Sequence, residues 1–143
     1  MLIRKMKLDD IQDVVEIEKK CFSLPWSEKS FEDSLTREDT IFLVCEDDVV
    51  TGYIGLYLSF DEASVTNVAV SPEFRKRGYG ERLVMAAKET AKDANAESVL
   101  LEVRASNLPA ISLYKKLGFE ELGIRKKFYE HPVEDAIIMK VGI

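Results

Sequence analysis

Histidine, cysteine and tryptophan are scarce in this chain, at one, two and one residues. A lone His131 excludes most Cys–His and Ser–His mechanisms. It also excludes most zinc chemistry, which needs several nitrogen or sulfur ligands, so no metal site is expected. Cys21 and Cys45 are too few for a disulfide framework. Both sit among apolar neighbours, which predicts two small buried hydrophobes rather than reactive thiolates or acyl-enzyme nucleophiles. No apolar run approaches the ~18–20 residues of a membrane span, so no membrane partner is expected. The charged stretch Met1 to Lys7 leads directly into a patterned segment and does not read as a signal peptide. The expected compartment is the reducing cytoplasm. Basic residues are in deficit as well: 20 Lys and Arg against 26 Asp and Glu leave a net charge of −6. Nucleic-acid binding, which needs a basic face, is therefore not expected, whereas cationic partners such as amines or basic peptides are favoured.

What the chain does contain is an ordinary globular mixture, 46% hydrophobic and 32% charged over 143 residues. That length predicts one domain, 1–143, able to bury about two-thirds of its unfolded surface without staples. Asp9 and Asp10 are cap residues before Ile11, Val14, Val15, Ile17 and Cys21, which follow helical spacing. Leu24-Pro25-Trp26 breaks that helix, and Ser27 caps a short second one with Phe31 and Leu35 on its face. Strands are predicted over 41–45, 49–60 and 63–70, with Gly52 and Gly55 marking a bulge or a close backbone approach. A helix follows from Glu81, with Leu83, Ala87, Ala91 and Ala94 on one stripe, then a short apolar strand over 98–103. Asn107 caps a further helix that carries Pro109 in its first turn and stops at Gly118. Two strands, about 119–127 and 136–141, close the chain around a loop that holds Tyr129, His131 and Pro132. The order α-α-β-β-β-α-β-α-β-β predicts a mixed α/β (α+β) fold around one sheet.

Three places carry chemistry. The loop Arg75-Lys76-Arg77-Gly78-Tyr79-Gly80 follows a predicted strand and opens a predicted helix. Its glycines let backbone N–H groups approach a ligand, the helix start adds partial positive charge, and three basic side chains flank it. In an acidic chain that cluster suits a phosphate or pyrophosphate, although it is neither a Walker loop nor a complete dinucleotide fingerprint. A solvated basic loop is the bland alternative. Glu102 lies inside the apolar run Val99 to Val103, where burial tends to raise a carboxyl's proton affinity and make it a base. The alternative is a strand-end acid paired with Arg104 or Arg75. Tyr114 lies on the apolar face of the Asn107-capped helix, as either a core residue or a proton donor.

Taken together these features resemble the GNAT family, the Gcn5-related N-acetyltransferases, over nearly the whole chain. Arg75, Gly78 and Gly80 stand at the defining places of that family's pyrophosphate loop. Asn67-Val68-Ala69-Val70-Ser71-Pro72 is similar to the strand that meets the pantetheine arm. The resemblance is closest to the RimI branch, which acetylates protein N-termini, including the N-terminal alanine of a ribosomal protein. It rests on Phe22 to Ser27, Leu101 to Asn107, Leu113 to Phe119 and Glu134 to Met139. It implies acetyl-CoA as the co-substrate. Val68, Ala69, Val70, Arg75, Lys76, Arg77, Gly78, Tyr79, Gly80, Glu81 and Asn107 would hold it. It also implies Glu102 as general base, acting through water, and Tyr114 as general acid to the departing sulfur. The backbone N–H of Val70 is the expected donor to the developing oxyanion. Leu24, Pro25, Trp26 and Tyr129 are the expected acceptor contacts, with Glu130, Glu134 and Asp135 adding acidity for a positive N-terminus. Two other functions fit the same core: acetylation of a lysine or small-molecule amine, and a non-catalytic CoA-binding module.

Overall fold

Alternation along the central strands sends successive side chains into two different layers. In β2 (Thr40–Asp47), Phe42 and Val44 face one side and Leu43 and Cys45 the other. In β3 (Val49–Ser59), Tyr53 joins the first group, and Ile54 and Leu56 the second. The first side is covered by α1 (Ile11–Cys21) and α2 (Glu28–Leu35), which bury Ile11, Val14, Val15, Ile17 and Phe31. The second is covered by α3 (Tyr79–Asp93) and α4 (Leu108–Lys116), through Leu83, Val84, Ala87, Ala91, Ile111 and Tyr114. The computed structural model describes all 143 residues.

The remaining strands are β1 (Leu2–Lys5), β4 (Glu62–Val70), β5 (Ser98–Arg104), β6 (Glu120–Glu130) and β7 (Val133–Gly142). They form one seven-stranded sheet in the order β1-β2-β3-β4-β5-β7-β6. Every neighbouring pair is antiparallel except β4 and β5. This is the mixed, mostly antiparallel sheet flanked by helices expected from the sequence. The β4–β5 pairing covers only Glu62–Ser64 against Ser98–Leu100. Beyond it the two strands part, and a gap opens in the middle of the sheet.

Several local expectations hold. Ser27 Oγ accepts from the Ser30 N–H at 3.1 Å, and Asn107 Oδ1 from the Ala110 N–H at 3.3 Å. Gly118 ends α4 at φ +96, a left-handed conformation that a Cβ disfavours. Others are corrected. The first element is a strand, β1, which the predicted order lacked. It pairs with β2, and Arg4 reaches Asp10 at 2.7 Å and Glu46 at 3.3 Å. Asp10 does not cap α1; its carboxylate accepts from the Lys7 N–H at 2.8 Å and closes a single 3-10 turn, Leu8–Asp10. Helix α3 begins at Tyr79 rather than Glu81, with Gly78 at φ +84 before it. Ala94 ends the helix exposed, and Ala96 fills the core place instead. The last hairpin is longer than expected: its turn is only His131–Pro132, and Tyr129 lies in β6.

Candidate active site

Two clefts flank the split. One, of about 710 Å³, lies over the gap between β4 and β5 and includes Glu102 and Tyr129. The other, of about 670 Å³, runs from β4 to the start of α3 and includes Arg75, Gly78, Gly80 and Glu81. They share Val68, Asn107 and Tyr114, with Cys21 and Phe22 at the same seam.

The β4 edge that borders this seam is unpaired for a simple reason. Ser71 N–H bonds to Thr51 O at 2.8 Å, so strand alternation turns the Ser71 and Ala69 amides toward β3. The N–H and C=O groups of Val68 and Val70 then point the other way, where β5 has already diverged. Val70 O is reached there by Arg75 Nε at 3.2 Å and by the Cys21 thiol at 3.5 Å. Next along the wall, the first backbone bond of α3 is Arg82 N–H to Gly78 O at 3.1 Å. The amides of Tyr79, Gly80 and Glu81 are therefore left without intrahelical acceptors. A Cβ on Gly78 would meet no atom within 4 Å, so the loop presents bare backbone to open space. Free N–H groups, a helix start and Lys76 make this wall a fit for a pyrophosphate.

Across the seam, β5 positions Glu102 with about a quarter of its side chain exposed, and Arg125 Nε stands 3.7 Å from the carboxylate. Helix α4 buries Tyr114 to 7%, and loss of hydration pushes its phenol up to about 12, the neighbouring Tyr129 adding to the effect. Burial also raises the Tyr129 phenol, with the Glu102 carboxylate reinforcing it. Glu102, Tyr114 and Tyr129 thus share one electrostatic neighbourhood. Arg104 lies over the Tyr129 ring at 4.3 Å and donates to Pro132 O at 3.0 Å. Ser23 Oγ, in the α1–α2 connection, donates to His131 O in the β6–β7 turn. The two connections therefore touch across the cleft and roof it.

The model of the Acetyltransferase (GNAT) family matches residues 11–119. The chain belongs to this family. It is an acetyl-CoA-dependent N-acetyltransferase. A Bacillus subtilis protein, provisionally named [ribosomal protein bS18]-alanine N-acetyltransferase, is 43% identical over 99% of this chain and 95% of its own. The Escherichia coli [ribosomal protein bS18]-alanine N-acetyltransferase is 32% identical over 99% of this chain and 97% of its own. Its crystal structure superposes with a TM-score of 0.90, covering 99% of this chain and 93% of that one. An N-alpha-acetyltransferase of Sulfurisphaera tokodaii is 33% identical over 96% of this chain and 90% of its own.

Most residues expected for the site in this GNAT acetyltransferase do line the two clefts, and some do not. Val68, Ala69, Val70, Lys76, Tyr79 and Asn107 border the α3-side cleft together with Arg75, Gly78, Gly80 and Glu81. Arg77 does not; its guanidinium stacks on Phe74 at 5.3 Å. The Tyr79 ring turns inward and its hydroxyl donates to Asp47 at 2.5 Å. Leu24 is exposed in the cleft that holds Glu102, while Pro25 lies outside it. Trp26 is a half-buried anchor, 5.2 Å from Phe31 and 6.1 Å from Phe42 between ring centres. Glu102 pairs with neither Arg104 nor Arg75, because Arg104 binds Glu134 at 3.2 Å and Arg75 binds Val70 O. Glu134 also accepts from the Ser106 N–H, and Asp135 Oδ1 from the Lys127 N–H at 2.9 Å, so both carboxylates are held in place beside the β6–β7 turn. Cys45 is fully buried as expected, but Cys21 is only half-buried, with Arg75 Nη2 at 3.2 Å from its sulfur. Sequence reasoning assigned no role to Glu18, Asn67 and Leu113, which also line the clefts. Asn67 and Leu113 fall within the motif stretches, whereas Glu18 reads as one more polar residue on α1.

Proposed function

We propose that this acetyltransferase acts on the α-amine of a protein N-terminus, with the N-terminal alanine of ribosomal protein bS18 as its target. The whole chain acts as a single domain in the cytoplasm. The observation that carries the reading is the meeting of the two clefts at Val68, Asn107 and Tyr114, with Glu102 on the acceptor side only. The names of the full-length relatives support the target. The roof made by Ser23 and His131 favours a thin chain end over a folded surface as the acceptor.

Acetyl-CoA supplies an activated acetyl thioester. The Gly78–Glu81 backbone and Lys76 hold its pyrophosphate, and the free β4 edge at Val68 and Val70 aligns the acyl end. Glu102 takes a proton from the acceptor ammonium, directly or through water, and so frees the amine to attack. The Val70 N–H donates to the oxygen on which charge develops. As the intermediate collapses, Tyr114, protonated across the neutral range, donates to the departing sulfur, the nitrogen gives up its second proton to water, and the phenol is restored from solvent. Transfer is direct, with no covalent enzyme intermediate. An α-amine suits so modest a base: a lysine ε-amine costs roughly 3 kcal/mol more to neutralise at pH 7.

The test is mass spectrometry of acetylation on three acceptors: an alanine-starting peptide, its N-blocked lysine-bearing copy, and spermidine. Acetylation of the first alone is expected. Preference for either of the others would replace the α-amine reading with a lysine or small-amine one.

A further inference from the structure

Glu18 is 1% exposed, yet it borders the acceptor cleft. A carboxyl group there is costly unless donors surround it. They do: Tyr53 Oη–H and Asn67 Nδ2 (3.2 Å) donate to Oε1, and the backbone N–H of Trp26 donates to Oε2 at 2.8 Å. Asn67 Nδ2 also reaches Tyr53 Oη at 3.0 Å, and its Oδ1 accepts from Thr66 Oγ1 at 2.8 Å, which fixes the orientation of the amide. Thr66 is the unpaired residue of a bulge, since Asn67 pairs with Gly55 and Val65 with Leu56. The network therefore joins α1, β3, the β4 bulge and the α1–α2 connection at one carboxyl group.

Its hold on that connection is specific. From Phe22 to Trp26 the chain makes three hydrogen bonds to protein groups: Phe22 N–H to Glu18 O at 2.9 Å, Trp26 N–H to Glu18 Oε2, and Ser23 Oγ to His131 O. Glu18 thus grips both ends of the segment, and the single remaining bond crosses the cleft. Phe22, Ser23 and Leu24 between those ends are exposed and line the acceptor side.

We propose that Glu18 is a positioning residue for the acceptor. Through Trp26 and Asn67 it holds the Phe22–Trp26 segment and the β4 bulge in the arrangement that receives the acceptor's chain end. It takes no part in proton transfer. This rests on the acceptor reading above and extends it to a residue outside the motifs.

The test is Glu18→Gln. Glutamine matches the shape but turns one of two acceptor positions into an N–H donor, which then faces Trp26 N–H or the Tyr53–Asn67 pair. Expected is a rise of about tenfold in KM for the alanine-starting peptide, equivalent to ~1.4 kcal/mol. The kcat at saturating peptide and the KM for acetyl-CoA stay within about twofold. Trp26 is the chain's one tryptophan, so its emission reports the segment directly; it should shift to the red while the circular dichroism is unchanged. Tyr53→Phe keeps the ring against Phe31 and removes only one donor, so it should give a smaller rise in KM and carries the test if Glu18→Gln does not fold. Normal acetylation with an unchanged peptide KM in the folded variants overturns the proposal, as does a fall in kcat alone. Absence of peptide acetylation by the unaltered chain overturns the acceptor reading and this proposal with it. The emission then still reports separately whether Glu18 holds the segment.

Discussion

Tyr114 keeps its proton because burial denies a phenolate its hydration, which leaves the phenol able to serve as the proposed donor across the neutral range. Two outcomes follow for activity. The pH profile should rise with deprotonation of the acceptor amine, near pH 8 for an α-amine, and should show no falling limb from Tyr114 below about pH 10. Tyr114→Phe should lower the plateau by roughly 100-fold and leave the shape of the profile below about pH 10 intact; a plateau as high as the parent's would remove Tyr114 as the acid. Glu102→Gln should cost about 100-fold or more in kcat while calorimetry shows acetyl-CoA binding unchanged. Stability has its own sign. The unfolded phenol gives up its proton from about pH 10, whereas the folded one keeps it to about 12, so the contribution is whole below pH 10 and is lost as pH rises to 12. Urea midpoints measured from pH 9 to 12 should fall more steeply for the parent chain than for Tyr114→Phe. That Glu102 and Tyr114 line a cleft was legible because a carboxyl in an apolar strand and a tyrosine on an apolar helix face are each conspicuous within a family motif. Glu18 was not, because nothing in α1's spacing shows that its polar face turns toward Tyr53 and Asn67.

Strand register explains which elements could be read in advance. Strands β2 and β3 are covered on both faces, so their apolar runs are long and unmistakable. Strand β1 has four residues, two of them charged, and becomes a strand only because β2 offers it an edge. Strand β6 is exposed almost throughout and carries no buried alternation, so its end near Tyr129, followed by a proline and acidic residues, resembled a loop. The opening between β4 and β5 was out of reach, since it depends on partners far apart in sequence. Gly55, by contrast, announced itself correctly. It marks the bulge, and a Cβ there would run into the Phe42 ring and come within 2.6 Å of Thr66 Oγ1. Gly55→Ala should therefore cost about 1–3 kcal/mol of stability, read from urea unfolding. It should also raise the peptide KM, because Thr66 bonds the Asn67 that reaches Glu18. A variant as stable as the parent would mean that the bulge yields without cost.

Over the whole molecule, the sheet is two parts that share only the short pairing at the base of β4 and β5. Strands β1 to β4 carry α1 and α2, and β5 to β7 form the other wall of the gap. The α3-side cleft draws on β4, the start of α3 and α4 together, so a ligand seated there ties both parts to one body. Ligand that binds only the folded chain adds about 2.7 kcal/mol at 100 times its Kd, which for a chain of this size raises Tm by about 5–10 °C. CoA should give nearly the same shift as acetyl-CoA, because the pyrophosphate wall and the β4 edge are common to both. Gly78→Ala separates that wall from the fold. Its Cβ meets no protein atom, so the cost to the free chain is confined to a left-handed φ, about 1–2 kcal/mol. The methyl group stands where the bare backbone would meet the ligand. The variant should therefore melt a few degrees lower alone and lose most of the CoA-induced shift. A full shift in Gly78→Ala would place the pyrophosphate elsewhere, and with it the path by which an acyl end reaches the cleft that Glu102 and Tyr114 line.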